Sequence, residues 1–114
     1  MNAIQVTARG TIHEGKIEEL KRLAAECMRT VREKDKGTVQ YDWFINEAQT
    51  ECVVREGYRD SEALLEHIAN LGATLGALLA IGDWTFDVFG SPSAELLAAS
   101  AGLSLKIYSP FQRM

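Results

Sequence analysis

The sequence predicts an α+β fold with one mainly antiparallel sheet. Three observations carry this. Apolar residues alternate with polar ones over several short stretches, the mark of half-buried strands. Between them the spacing changes to three and four, the mark of amphipathic helices. The patterns follow in the order β-α-β-β-α-β, with a short helix and strand after them.

The first strand runs from Ile4 to Ile12. Ile4, Val6, Ala8 and Ile12 lie on one side, and Gln5, Thr7, Arg9 and Thr11 on the other. His13-Glu14-Gly15 turns the chain. From Lys16 to about Lys34, Ile17, Leu20, Ala24, Cys27, Met28 and Val31 make one apolar helical face. Glu18 and Glu19 near its start and Arg29, Arg32 and Lys34 near its end suit the helix dipole. Gly37 closes this unit.

Thr38 to Asn46 is the second strand, with Val39, Tyr41, Trp43 and Ile45 on one face and Gln40, Asp42 and Phe44 on the other. The polar run Asn46 to Glu51 is a hairpin loop, and Cys52 to Tyr58 the third strand. Asp60 is an N-cap, because its carboxylate accepts from free amides of the first turn. Leu64, His67, Ile68, Leu71, Leu75 and Leu78 then continue a helical stripe to about Ala80. Gly72 and Gly76 lie inside it, and each weakens a helix interior by up to roughly 1 kcal/mol relative to alanine. A kink or break is expected near Gly72. Trp84 to Phe89 is the fourth strand. Ser91-Pro92 opens a short helix to Ala101, since proline suits a first helical position, and Gly102 ends it. Leu103 to Phe111 is a fifth strand. The first six elements have the ferredoxin-like split βαβ order.

At 114 residues the chain fits one domain over 1–114. It is 46% hydrophobic and 25% charged, with a net charge of −4. An acidic balance argues against nucleic acid or an anionic membrane as partner. No uninterrupted apolar run is long enough to span a membrane. The start, Met1-Asn2-Ala3-Ile4, lacks a basic segment and apolar core, so it does not read as a signal peptide. The expected location is cytoplasmic. Cys27 and Cys52 have no metal-ligand spacing and read as buried thiols, with a redox pair as the alternative.

Several of these residues carry a resemblance. Gly15 before the first helix, the entry Gly37-Thr38-Val39-Gln40-Tyr41, and Tyr58-Arg59-Asp60-Ser61-Glu62-Ala63 followed by His67 resemble the antibiotic biosynthesis monooxygenase family. This family belongs to the dimeric α/β-barrel superfamily. The resemblance covers roughly residues 4 to 90. It implies a homodimer and a pocket for a small hydrophobic or aromatic ligand. Its members include cofactor-independent oxygenases, haem-degrading enzymes, isomerases and proteins without known activity, and fold alone does not choose among them. Alignment on Gly15 puts Ala8, Tyr58 and Ala77 where the haem-degrading branch has asparagine, tryptophan and the haem-ligating histidine. Haem breakdown is therefore not expected.

His67 is the candidate catalytic residue. Its imidazole titrates near neutrality and exchanges a proton with a phenol or enol; a structural histidine under the sheet is the alternative. Tyr41, Trp43, Tyr58, Trp84 and Phe86 share the strand parity that faces the helices. They are candidates to bind a flat substrate, or else form a plain aromatic core. His13 reads as a loop residue. There is no metal-ligand spacing, phosphate loop or nucleophile elbow. The resemblance implies no cofactor and a cofactor-independent monooxygenase acting on a quinol or polyketide-like substrate. The alternatives are an isomerase of an enolisable molecule and a binding protein without catalysis. A cavity beside His67 with a second polar group converging on it separates catalysis from mere binding.

The other sheet face carries Gln5, Thr7, Arg9, Gln40, Asp42, Phe44, Arg55 and Asp87. The resemblance implies that this face pairs across a dimer. Buried charges must be paired, so at least one Arg–Asp contact is expected among Arg9, Arg55, Asp42 and Asp87, within or between chains. The fifth strand is too apolar for a free edge; pairing with the partner chain's sheet is expected over pairing with its own.

Overall fold

The computed structural model describes residues 3–114; Met1 and Asn2, the start of the segment read for a signal peptide, lie outside them. The elements are β1 (Ile4–Ile12), α1 (Ile17–Lys34), β2 (Thr38–Ile45), β3 (Glu51–Tyr58), α2 (Ser61–Leu71), α3 (Ala73–Ala80), β4 (Gly82–Phe89), α4 (Ala94–Ala99) and β5 (Leu105–Tyr108). The five strands form one sheet in the order β2-β3-β1-β4-β5. This is the expected α+β, ferredoxin-like arrangement with a helix–strand extension.

The alternation in β1 sets the layers. Ile4, Val6, Ala8 and Ile12 are buried, and pack with Leu20 and Leu23 of α1 and with Leu64 of α2. The register aligns these positions across all strands. One cross-sheet row runs Tyr41, Glu56, Val6, Val88, Ile107; the next runs Trp43, Val54, Ala8, Phe86, Leu105. Both rows lie on the helix-covered face.

The helical stripe after Asp60 breaks as its glycines predict. The Asp60 carboxylate accepts from the Ala63 amide at 2.8 Å and starts α2. Gly72, at φ +53° and ψ −128°, ends it in a conformation that side chains oppose. The axis turns by 80° into α3. No single helix among the described residues is long and apolar enough to cross a membrane.

Three expectations are corrected. The fifth strand is shorter than Leu103–Phe111, and it pairs in parallel with β4 of its own chain rather than with a partner's edge. The α4 crossover carries the chain back alongside β4, as in any β-α-β unit. Pro92 does not start α4: Ser93 is the N-cap, its hydroxyl accepting from the Leu96 amide at 3.1 Å. Val39 and Ile45 do not join Tyr41 and Trp43 under the helices. A register shift between Thr38 and Gln40 turns Val39 out to 75% exposure, and Ile45 sits exposed at the strand end.

The opposite sheet face is open in the chain. Phe44 is 54% exposed and Phe89 stacks on Tyr108. Arg9 Nε stands 3.9 Å from Asp87 Oδ2, a loose and partly exposed Arg–Asp contact. Cys27 and Cys52 are both free and buried. Burial pushes both thiols up to about 11, which leaves them protonated and unreactive.

Candidate active site

Between sheet and helices lies a cavity with about 90 Å³ open to water-sized molecules. Its floor is the two cross-sheet rows. Leu64, His67, Ile68 and Leu71 of α2 and Leu75, Leu78 and Leu79 of α3 form much of the roof. The extension closes the far side with Leu96, Leu97, Ser100 and Leu103. The lining is almost wholly apolar, and two titratable groups stand out in it, His67 and Glu56.

His67 lies one turn after Leu64 on the face of α2 that meets the sheet. Its imidazole is buried at 3% exposure, with the Tyr41 and Tyr58 rings 5.0 and 5.2 Å away. Nδ1 is 2.8 Å from Oδ2 of Asp35. Asp35 caps the C-terminal end of α1. Burial alone would raise its pKa, but hydrogen bonds from Asn70 at 2.9 Å, Thr38 at 2.6 Å and His67 outweigh burial and hold it below its ordinary value. An ionised carboxylate only accepts. The proton of His67 is therefore on Nδ1, and Nε2 carries the lone pair. Burial lowers the His67 pKa against the opposing pull of Asp35, so the ring is neutral at neutral pH. A close approach holds the loop here: a Cβ on Gly37 would stand 2.5 Å from the Ala63 Cβ, so only glycine lets the segment after Asp35 lie on α2.

Glu56 projects from β3 between Tyr41 and Val6 of the neighbouring strands. Its carboxylate accepts from the Tyr58 hydroxyl. Burial pushes its pKa up to about 7, against the lowering effect of that bond. At neutral pH it exists in both protonation forms and can take or give a proton. Burial also raises Tyr41 and Tyr58, aided by the nearby Glu56 charge, so both stay phenols.

Of the residues expected to bind substrate, Tyr41, Trp43, Trp84 and Phe86 line the cavity. Trp84 is fixed by its indole N–H, which donates to the Leu78 carbonyl at 2.9 Å. The Trp43 Nε1 is buried without a hydrogen-bond partner among the described residues. Tyr58 does not reach the cavity; it stands behind the wall, with its ring against His67 and its hydroxyl on Glu56. His13 is an exposed loop residue 3.4 Å from Asp83. Sequence reasoning missed Glu56 and Asp35. Glu56 shares the inward parity of Val54 and Tyr58, which is a readable signal. Asp35 places an acid at the negative end of a helix dipole, where a cation is favoured.

Known proteins fit this description. A profile of the antibiotic biosynthesis monooxygenase family matches residues 3–71. The chain belongs to this family. No curated protein matches it in sequence. Among solved structures, MupZ from Pseudomonas fluorescens superposes with a TM-score of 0.86 at 19% identity, covering 100% of this chain and 94% of its own. SnoaB, a cofactor-independent oxygenase from Streptomyces nogalater, reaches a TM-score of 0.67 at 16% identity, covering 82% of this chain and 97% of its own. Rv0793 from Mycobacterium tuberculosis reaches 0.70 at 20% identity, covering 81% of this chain and 97% of its own. At these identities the likeness establishes the fold.

Proposed function

We propose that the protein is a cofactor-independent monooxygenase of a small phenolic or enolisable substrate, and that it works by proton transfer in an apolar cavity. The observation that carries this is Glu56, with a pKa near 7, on the floor of the cavity that the neutral His67 roofs. The family membership and the oxygenase SnoaB support the choice of oxygenation.

The chemistry follows from these groups. His67 Nε2 takes the phenolic or enolic proton, and the resulting carbanion passes one electron to dioxygen. The carbon radical and superoxide combine to a peroxide anion, which regains a proton from His67. Glu56 removes the remaining proton from that carbon, the O–O bond breaks, and the departing hydroxide takes the proton back from Glu56 and leaves as water. One oxygen atom stays as a carbonyl and the other becomes water. The apolar walls keep solvent from quenching the carbanion.

The enzyme works as a homodimer through the open sheet face, where Phe44 is exposed and Gln5, Thr7, Gln40 and Arg55 line a polar depression. Isomerisation is a second reading, favoured by two separate proton carriers in one cavity. Oxygen uptake with a panel of hydroquinones and anthrone-type phenols, without added cofactor, is the test. Uptake that falls about 10²–10⁴-fold in His67→Ala and Glu56→Gln supports oxygenation. Proton exchange into the substrate without oxygen uptake moves the assignment to an isomerase. Binding with neither leaves a ligand carrier.

A further inference from the structure

The cavity is asymmetric along the sheet, and the asymmetry defines the shape of its ligand. The titratable groups gather at one end, on β2, β3 and α2: Tyr41, Glu56 and His67; at the other end the hydroxyl of Ser100 is taken up by the Leu96 carbonyl. From β1 onward the floor is apolar, with Val6, Val88 and Ile107 in one row and Ala8, Phe86 and Leu105 in the next. Three strand spacings separate Glu56 from Ile107, roughly 14 Å. Over this distance the wall offers no titratable side chain.

The apolar end is largely built by the α4–β5 extension. It lies beyond the matched family segment, which ends at residue 71. SnoaB and Rv0793 cover 82% and 81% of this chain while spanning 97% of themselves, so this chain carries length that those two lack. Leu97 and Ile107 line the cavity and are 40% and 44% exposed, which marks its opening between α4 and β5.

We propose that the α4–β5 extension makes a channel for an aliphatic arm, so that the ligand is an amphiphile with a phenolic or enolic head at Glu56 and His67 and an alkyl tail running beneath α4 to the opening at Leu97 and Ile107. The identity of the head rests on the acid–base reading above. The tail rests on the wall alone. Each buried methylene contributes through the hydrophobic effect, about three- to fourfold in affinity. The gain stops once the tail emerges into solvent.

Calorimetric titration of phenol, 4-butylphenol, 4-hexylphenol, 4-octylphenol and 4-decylphenol into the full chain tests this without need of turnover. The expected result is affinity rising about three- to fourfold per methylene and then levelling at the longer members. In Ile107→Trp, whose site is partly exposed and whose folding is checked by thermal melting, the levelling comes at a shorter tail. Equal affinity along the series, binding of none, or an Ile107→Trp profile identical to the wild type overturns the channel. Glu56→Gln separates the two readings. Loss of the pH dependence of binding near pH 7 supports the head placement. An unchanged pH dependence, with the tail dependence intact, overturns the head and leaves the channel standing.

Discussion

Glu56 is the residue whose chemistry and stability pull against each other. Its pKa rises from 4.5 in the unfolded chain to about 7 in the fold. Between these values the folded state holds more protons than the unfolded, so stability falls as pH rises through the window. The lost stability, for a shift of this size, is about 3 kcal/mol above pH 7. Glu56→Gln keeps an acceptor for the Tyr58 hydroxyl and removes the charge. Urea unfolding at pH 8 is expected to find the variant more stable than wild type by up to that amount, with the gap closing toward pH 4.5; a constant gap would contradict the raised pKa. Asp35 and His67 run the other way. The Asp35 pKa is depressed, so its contribution is present above the unfolded value and is lost as pH falls through the folded one. The His67 pKa is also depressed, so the unfolded chain binds the proton first and stability drops as pH falls below about 6.5. Asp35→Asn leaves the Thr38, Asn70 and His67 donors sharing a weaker acceptor. A loss of about 1.5–3 kcal/mol is expected. The Asn amide can also donate to Nδ1, which would move the imidazole proton to Nε2 and remove the base. Imidazole nitrogen shifts in the NMR spectrum report that tautomer directly.

At the scale of elements, the α2–α3 break is the feature most open to a single substitution. Gly72 has a positive φ that a Cβ opposes, so Gly72→Ala is expected to destabilise by about 1–3 kcal/mol in chemical denaturation. An unchanged midpoint would mean that the break relaxes without strain. The break was legible in the sequence because two glycines interrupt an otherwise continuous stripe. The β-α-β-β-α-β order was legible because period two and period three-to-four alternate along the chain. What escaped has physical causes. Val39 follows the parity of Tyr41 in sequence, but a register shift at the strand entry turns it outward, and such a shift leaves no local signal. Ser93 caps α4 although Pro92 is the more conspicuous residue, because a hydroxyl that accepts from the first turn defines the start. The pairing of β5 depended on where a crossover of a few residues delivers the strand, which is a tertiary outcome. His67 was readable as a lone histidine on an apolar helix face. Its partner Asp35 lies 32 positions away in a loop, and only the fold joins them.

For the whole molecule, the open sheet face is where the proposed dimer would form. Phe44 is 54% exposed amid Gln40, Asp42 and Arg55, and an aromatic surrounded by pairable polar groups fits an interface core with a polar rim. Sedimentation velocity at micromolar concentration is expected to give a dimer, and Phe44→Glu a monomer; a monomeric wild type would refute this arrangement. The strand order has another consequence. β1 is hydrogen-bonded on both sides, by β3 and β4, whereas β5 is four residues long and is held by β4 alone. Stability is therefore graded across the sheet, and the β5 edge is its least protected part. In native-state hydrogen exchange, the β5 amides should exchange through a local opening well before those of β1 and β3. The same local unfolding would detach the strand that carries Leu105 and Ile107, and so widen for a moment the mouth through which a large molecule enters or leaves the interior.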